Sequence, residues 1–153
     1  MKALPRAQLW SCLWLVLPLL AFNLVFASRL PARYSAAAAV PTWLAWLEHG
    51  LRVVVFVGPV FIPLAIGEAH QRWGLKIFAV GVLVYVASWL PILLAPESGW
   101  SRSVLGGLAP AYTPLGFFLG IAVIGRSSVY GLAALAFLIT HNASTWLKLT
   151  GDG

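Results

Sequence analysis

The chain consists of long apolar runs, and nearly all of its charged residues fall in the gaps between them. The runs lie near residues 7–28, 50–67, 74–94, 103–124 and 127–147. A helix needs roughly 20 mainly apolar residues to cross the hydrocarbon of a bilayer, and each run approaches that length. Charged residues make up only 9% of the chain against 61% hydrophobic ones, with a mean hydropathy of +0.90. Soluble domains carry about 25% charged residues. Lipid offers no partner to an exposed backbone group, so spans of this kind are helices and not open strands. The expectation is therefore all-α: an integral membrane helical bundle of about five transmembrane helices, forming a single transmembrane domain over residues 1–153. No soluble domain of useful size fits in what is left.

The charges mark the cuts. Lys2 and Arg6 precede the first run, and Arg29, Arg33, Glu48 and Arg52 separate the first from the second. Glu68, Arg72 and Lys76 come next, then Glu97 and Arg102, then Arg126, then Lys148 and Asp152. On this map no Lys, Arg, Asp or Glu stands mid-span. The net charge of +6 thus reads as anchoring of helix ends against anionic headgroups, and membrane lipids are the expected partners, with no nucleic acid. Basic residues divide evenly between the two sides, so orientation rests on the basic start of the first helix. That start puts the N-terminus in the cytoplasm and the chain in the plasma membrane, the inner membrane of a bacterium. Trp10, Trp14 and Trp73 fall toward one interface, and Trp43, Trp46, Trp89, Trp100 and Trp146 toward the other, which is an aromatic-belt arrangement.

The first gap is the longest. Pro41 can open a helix, Trp43, Leu44, Trp46 and Leu47 give it an apolar face, and Gly50 is a natural break. The reading is a short interfacial helix in the first loop; the alternative is that these residues form the first turns of the second span. The first run could also be a cleaved signal, with Val25-Phe26-Ala27 as a small-residue site. Signal cores are about 7–15 residues long, and the greater length of this run favours a retained helix. Cys12, the single cysteine, reads as a small apolar filler.

Two of the runs carry matched proline pairs. Gly58-Pro59-Val60-Phe61-Ile62-Pro63-Leu64 parallels Ala109-Pro110-Ala111-Tyr112-Thr113-Pro114-Leu115, which raises the alternative of a duplicated helical hairpin against chance. Each proline removes a donor and frees a carbonyl one turn back. Neighbouring helices, hydroxyls or water must satisfy those carbonyls, and Tyr112 and Thr113 are placed to do so locally. Gly116-x-x-x-Gly120 would let another helix approach closely.

Polar residues inside spans are costly and default to a functional hypothesis. Here they gather away from the N-terminus: Asn23, Tyr85 and Ser88, and a group at 140–145. His141, Ser144, Thr145 and Lys148 share one helical face. The loop from Pro96 to Ser103 caps the same end, and Glu48, His49 and Arg52 approach it from the first gap. The sharp reading is a polar ligand pocket with His141, Asn142, Tyr112, Thr113, Glu97, Arg102 and His49 as its candidates. The bland reading is that these groups satisfy one another and the broken backbone. The latter is favoured for Ser88, Ser144 and Thr145, the former for His141, an ionisable group within a span.

Nothing in the sequence points to a cofactor or a metal. Two histidines without a regular spacing are poor grounds for a haem or zinc site, and no G-x-S-x-G elbow occurs. Asn142-Ala143-Ser144 matches a glycosylation acceptor but sits too close to the membrane. Three function classes remain. The first is a protein that binds or moves a lipid or small solute. The second is an accessory or structural subunit, in a homo-oligomer or beside a membrane-protein partner. The third is an interfacial lipid-modifying enzyme using His141 or Glu97. The lack of a complete catalytic set favours a role other than catalysis.

Overall fold

The computed structural model describes residues 10–27, 29, 40–64 and 67–151. Lys2, Arg6, Arg33 and Asp152 lie outside the described residues, as do the ends of the first and second apolar runs. Every named element is helical: α1 (Leu13–Ala27), α2 (Thr42–Val57), a 3₁₀ turn (Gly58–Phe61), α3 (Ala69–Leu94), α4 (Gly99–Arg102), α5 (Val104–Tyr112), α6 (Leu115–Gly125) and α7 (Ser128–Thr150). Among the described residues three stretches are long and apolar enough to cross a membrane: Thr42–Phe61, Ala69–Leu94 and Val104–Gly125. The apolar helix Leu13–Phe26 is shorter. α7 has the length, at 23 residues, but its polar group at 140–145 dilutes its apolar character.

The long axes alternate in direction. α3 lies on α6, α6 and α5 lie on α7, and α7 lies on α2. α1 closes the ring by touching α2 on one side and, through Phe22, the rings of Tyr85 and Trp89 on α3. α2 and α3 follow each other in the chain but do not pack as a hairpin, so the duplicated-hairpin pattern is absent from the packing. The outward surface is apolar: Val53, Val54, Phe61, Val80, Leu83, Leu94, Leu105 and Ile139 are all exposed. Exposed apolar area on this scale marks a lipid-facing or interaction surface. Trp10, Trp14 and Trp73 are exposed toward one end, and Trp43, Trp46, Trp100 and Trp146 toward the other. Trp89 departs from the belt and is buried inside.

The seam between α3 and α6 is backbone against backbone. A Cβ at Gly81 would lie 2.3 Å from the Phe117 nitrogen, and one at Gly120 would lie 2.5 Å from the Phe78 nitrogen. Gly74 meets Gly120 and Ile124 in the same way. The glycine pair of α6 therefore receives α3, which brings its own glycines. This is the small-residue packing by which membrane helices approach closely.

The two proline pairs act differently. Pro59 ends α2: the helix stops at Val57 and passes into the 3₁₀ turn, and Ile62 is extended. Pro59 has no N–H for the Val55 carbonyl one turn back, and the Tyr130 hydroxyl of α7 donates to that oxygen at 3.0 Å. The extended segment pairs with the start of α1, where Cys12 N–H donates to Ile62 O (2.9 Å) and Leu64 N–H to Trp10 O (2.8 Å). Pro110 and Pro114 instead divide one span into α5 and α6, joined at Thr113-Pro114. Serines open the helices that follow: Ser103 accepts from the Gly106 N–H, and Ser127 from the Tyr130 N–H, as N-caps do.

The first loop resolves in favour of continuity. Thr42–Val57 is one helix that runs through Gly50 without a break. A Cβ at Gly50 would meet nothing within 4 Å, so nothing forces a bend there. The second span thus begins eight residues earlier than position 50, at Thr42, and Glu48 and Arg52 move from a loop into the helix. The separate interfacial helix is not present; its residues are the first turns of α2.

Candidate functional site

In the half of the bundle where α2 begins, the helices line a cavity of about 320 Å³ that reaches inward to Phe56, Phe117 and Phe118. Its wall takes residues from α1 (Leu20, Asn23), α2 (Arg52, Phe56), α3 (Tyr85, Trp89), α5 (Gly107, Pro110, Ala111), α6 (Phe117, Phe118) and α7 (Phe137, His141, Thr145). Most of that wall is apolar or aromatic. The size suits a small-molecule site, and so does a wall of this kind with few polar groups.

The polar centre is Glu48. It is 5% exposed and lies one helical turn before Arg52, so the two side chains share a face of α2. The Arg52 guanidinium pairs with Glu48 Oε1, and His141 Nδ1 reaches the same oxygen from α7 at 2.9 Å. The buried Ser144 hydroxyl also stands beside Glu48, without a hydrogen bond of good geometry. The His141 ring stacks on Phe137, with centroids 5.3 Å apart and planes 10° from parallel. Arg52 lies over the same Phe137 ring at 6.0 Å. A buried carboxylate is held inside a protein only when paired, and here a guanidinium from α2 and an imidazole from α7 meet it. Arg52 and His141 stand on the cavity wall and Glu48 behind them.

A second polar pair faces the first. The Tyr85 hydroxyl donates to Asn23 Oδ1, and Asn23 Nδ2 donates to Leu19 O at 2.9 Å. This bond joins α1 to α3. Trp89 lies beside it, with its indole N–H close to the Tyr85 hydroxyl but with no acceptor in hydrogen-bonding geometry.

Of the seven residues singled out from the sequence, His141 stands on the cavity wall. Asn142 is one position further round α7, and its side-chain amide donates to Ala111 O (3.0 Å) and Leu138 O (2.7 Å). It ties α7 to the last turn of α5, where Pro114 interrupts the helix. Thr113 donates to Ala109 O at 2.8 Å, a carbonyl that also accepts its own N–H, and pairs with Ser88 of α3 at 3.1 Å, so it is engaged within α5 and against α3. Tyr112 points outward, 40% exposed. Glu97 and Arg102 pair with each other on the exposed surface around α4, and His49 is exposed on α2. None of Asn142, Tyr112, Thr113, Glu97, Arg102 and His49 lines the cavity.

Sequence reasoning left out Glu48, Arg52, Asn23, Tyr85 and Trp89 as site residues. The Glu-x-x-x-Arg spacing of 48 and 52 was the available signal, since i,i+4 pairs of this order favour a helix. Among the described residues no three His, Cys, Asp or Glu side chains come together as a metal-ligand set. No known protein family matches the chain, and neither does any curated protein or solved structure. The fold therefore defines the class by itself: an all-α bundle, apolar outside and partly polar within, with three helices among the described residues able to cross a membrane.

Proposed function

We propose that the protein is a small multi-pass membrane protein that binds or translocates a lipid or small solute through the cavity at the α2 N-terminal end. In this reading all five long segments cross the membrane: α1, α2, α3, the α5–α6 pair and α7. The membrane is the bacterial inner membrane, the N-terminus is cytoplasmic, and the cavity opens on the opposite side. The basic start of the chain supports that orientation.

One observation carries the reading. An Arg52–Glu48–His141 cluster joins α2, one of the helices able to cross a membrane, to α7 and presents two of its three members to a cavity. Ionisable groups at such depth are expensive and mark ligand or ion pathways. The accessory-subunit reading drew on the glycine faces, but α3 and α6 use those faces on each other. The enzyme reading drew on His141 or Glu97; Glu97 pairs with Arg102 on the surface, and His141 pairs with Glu48.

The test is native mass spectrometry of the full chain purified in mild detergent. The wild type should carry a lipid or small molecule that His141→Leu loses while remaining folded. An unliganded wild type with a stoichiometric protein partner would favour the accessory role instead.

A further inference from the structure

The chemistry of the wall narrows the ligand class; this step rests on the reading that the cavity holds a ligand. Six rings face it: Phe56, Tyr85, Trp89, Phe117, Phe118 and Phe137. Offset-stacked and edge-to-face arrangements favour a flat ring among such walls.

Most polar groups on the wall are already spent. Asn23 donates to Leu19 O and accepts from Tyr85. The Thr145 hydroxyl donates to His141 O at 2.8 Å. Two donor groups keep capacity. Arg52 has five N–H donors, its guanidinium engages Glu48 through Nη2, and its side chain is 45% exposed. The Trp89 N–H has no acceptor in good geometry. His141 meets Glu48 through Nδ1, which leaves Nε2 outside that pairing.

Charge narrows the class further. Glu48 already balances Arg52, so this pair carries no net charge. A carboxylate or phosphate drawn to Arg52 would stand close to the buried Glu48 and be repelled by it. A neutral acceptor meets no such opposition.

We propose that the cavity takes a neutral, flat, carbonyl-bearing ring compound with an apolar body, the chemistry of a quinone. Its carbonyl oxygen accepts from the free Arg52 N–H groups, and its ring lies between Phe137 and the α3 aromatics. His141 Nε2 can accept from a ring hydroxyl, so the quinol form also fits.

The experiment titrates the purified full chain in detergent with a short-chain benzoquinone and follows quenching of tryptophan fluorescence. Decanoate and phosphatidylglycerol vesicles are the parallel arms. Saturable quenching is expected, much reduced in Trp89→Phe, with Kd raised at least tenfold in Arg52→Leu and in Arg52→Lys. Circular dichroism confirms that each variant is folded, and Arg52→Lys keeps the charge that balances Glu48 while removing the fork. Quenching that never saturates, or a Kd unchanged in both Arg52 variants, overturns the proposal. Saturable binding of decanoate or phosphatidylglycerol without quinone binding also overturns it, and leaves the ligand cavity standing. If none of the three binds, the cavity reading falls as well.

Discussion

Replacing Gly81 by alanine tests the packing that holds the bundle together. A Cβ there would lie 2.3 Å from the Phe117 nitrogen and 2.4 Å from the Gly116 carbonyl carbon. Favourable contacts between heavy atoms lie at about 3.5–4.0 Å, so α3 and α6 must part by about 1 Å. Both opposing atoms are backbone, so no side chain can turn aside to make room. Parting the helices also loosens the Gly74 and Gly120 contacts along the same seam. Overpacking costs about 1–3 kcal/mol, and the upper part of that range, about 2–3 kcal/mol, applies where backbone opposes backbone; the better helix propensity of alanine returns about 1 kcal/mol at most. The net expectation is a loss of about 1–2 kcal/mol, which lowers the folded-to-unfolded ratio roughly 5–30-fold. Gly50→Ala is the matched control. It makes the same chemical change within α2, where a Cβ would meet nothing within 4 Å. That change should stabilise by about 0.5–1 kcal/mol through backbone entropy and propensity alone. The assay is denaturant unfolding in detergent micelles, followed by tryptophan fluorescence. If Gly81→Ala is as stable as wild type, or shifts in the same direction as Gly50→Ala, the close α3–α6 seam is refuted.

Three further outcomes follow from single contacts. Asn142→Leu removes the donor to Ala111 O and Leu138 O; unfolding in the same assay should show a loss of about 0.6–1.7 kcal/mol, the range for interhelical hydrogen bonds in membranes, while ligand binding persists. Arg126 ends α6 in the left-handed region, at φ 47°, so Arg126→Gly should raise stability by about 1 kcal/mol by relieving that strain; a loss would mean that the Arg126 side chain outweighs its backbone. Glu97→Ala breaks an exposed pair with Arg102, and exposed ion pairs contribute little, so the unfolding midpoint and ligand binding should both stay where they are.

The bundle was legible because its signal is one of composition and length. Apolar runs cut by charges specify membrane-type helices whatever the tertiary detail, and Gly116-x-x-x-Gly120 announced a close helix contact. The identity of that contact was not legible, because Gly81 and Gly74 become its partners only once α3 is set antiparallel to α6. Glu48 illustrates the harder limit. The sequence places it beside His49-Gly50, a pattern that reads as a helix break. The helix continues because nothing crowds Gly50 and because Glu48 pairs with both Arg52 and His141. The latter residue is 93 positions away, and pairing over that distance depends on how α7 returns to α2. The Asn23–Tyr85 bond is of the same kind, spanning 62 positions. Tyr130 is the converse case: Pro59 makes clear that a carbonyl needs a donor, but only the fold names the donor.

The most direct test of the central claim is thiol labelling of Thr145→Cys in intact cells. Thr145 lines the cavity at the α2 N-terminal end and keeps 8% of its surface open, whereas the native Cys12 keeps none and provides a silent background. A small membrane-impermeant thiol reagent added outside the cytoplasmic membrane should label Thr145→Cys, and occupying the cavity with the short-chain benzoquinone should protect it. Labelling only after the membrane is permeabilised would contradict the orientation, and no labelling under either condition would contradict an open cavity.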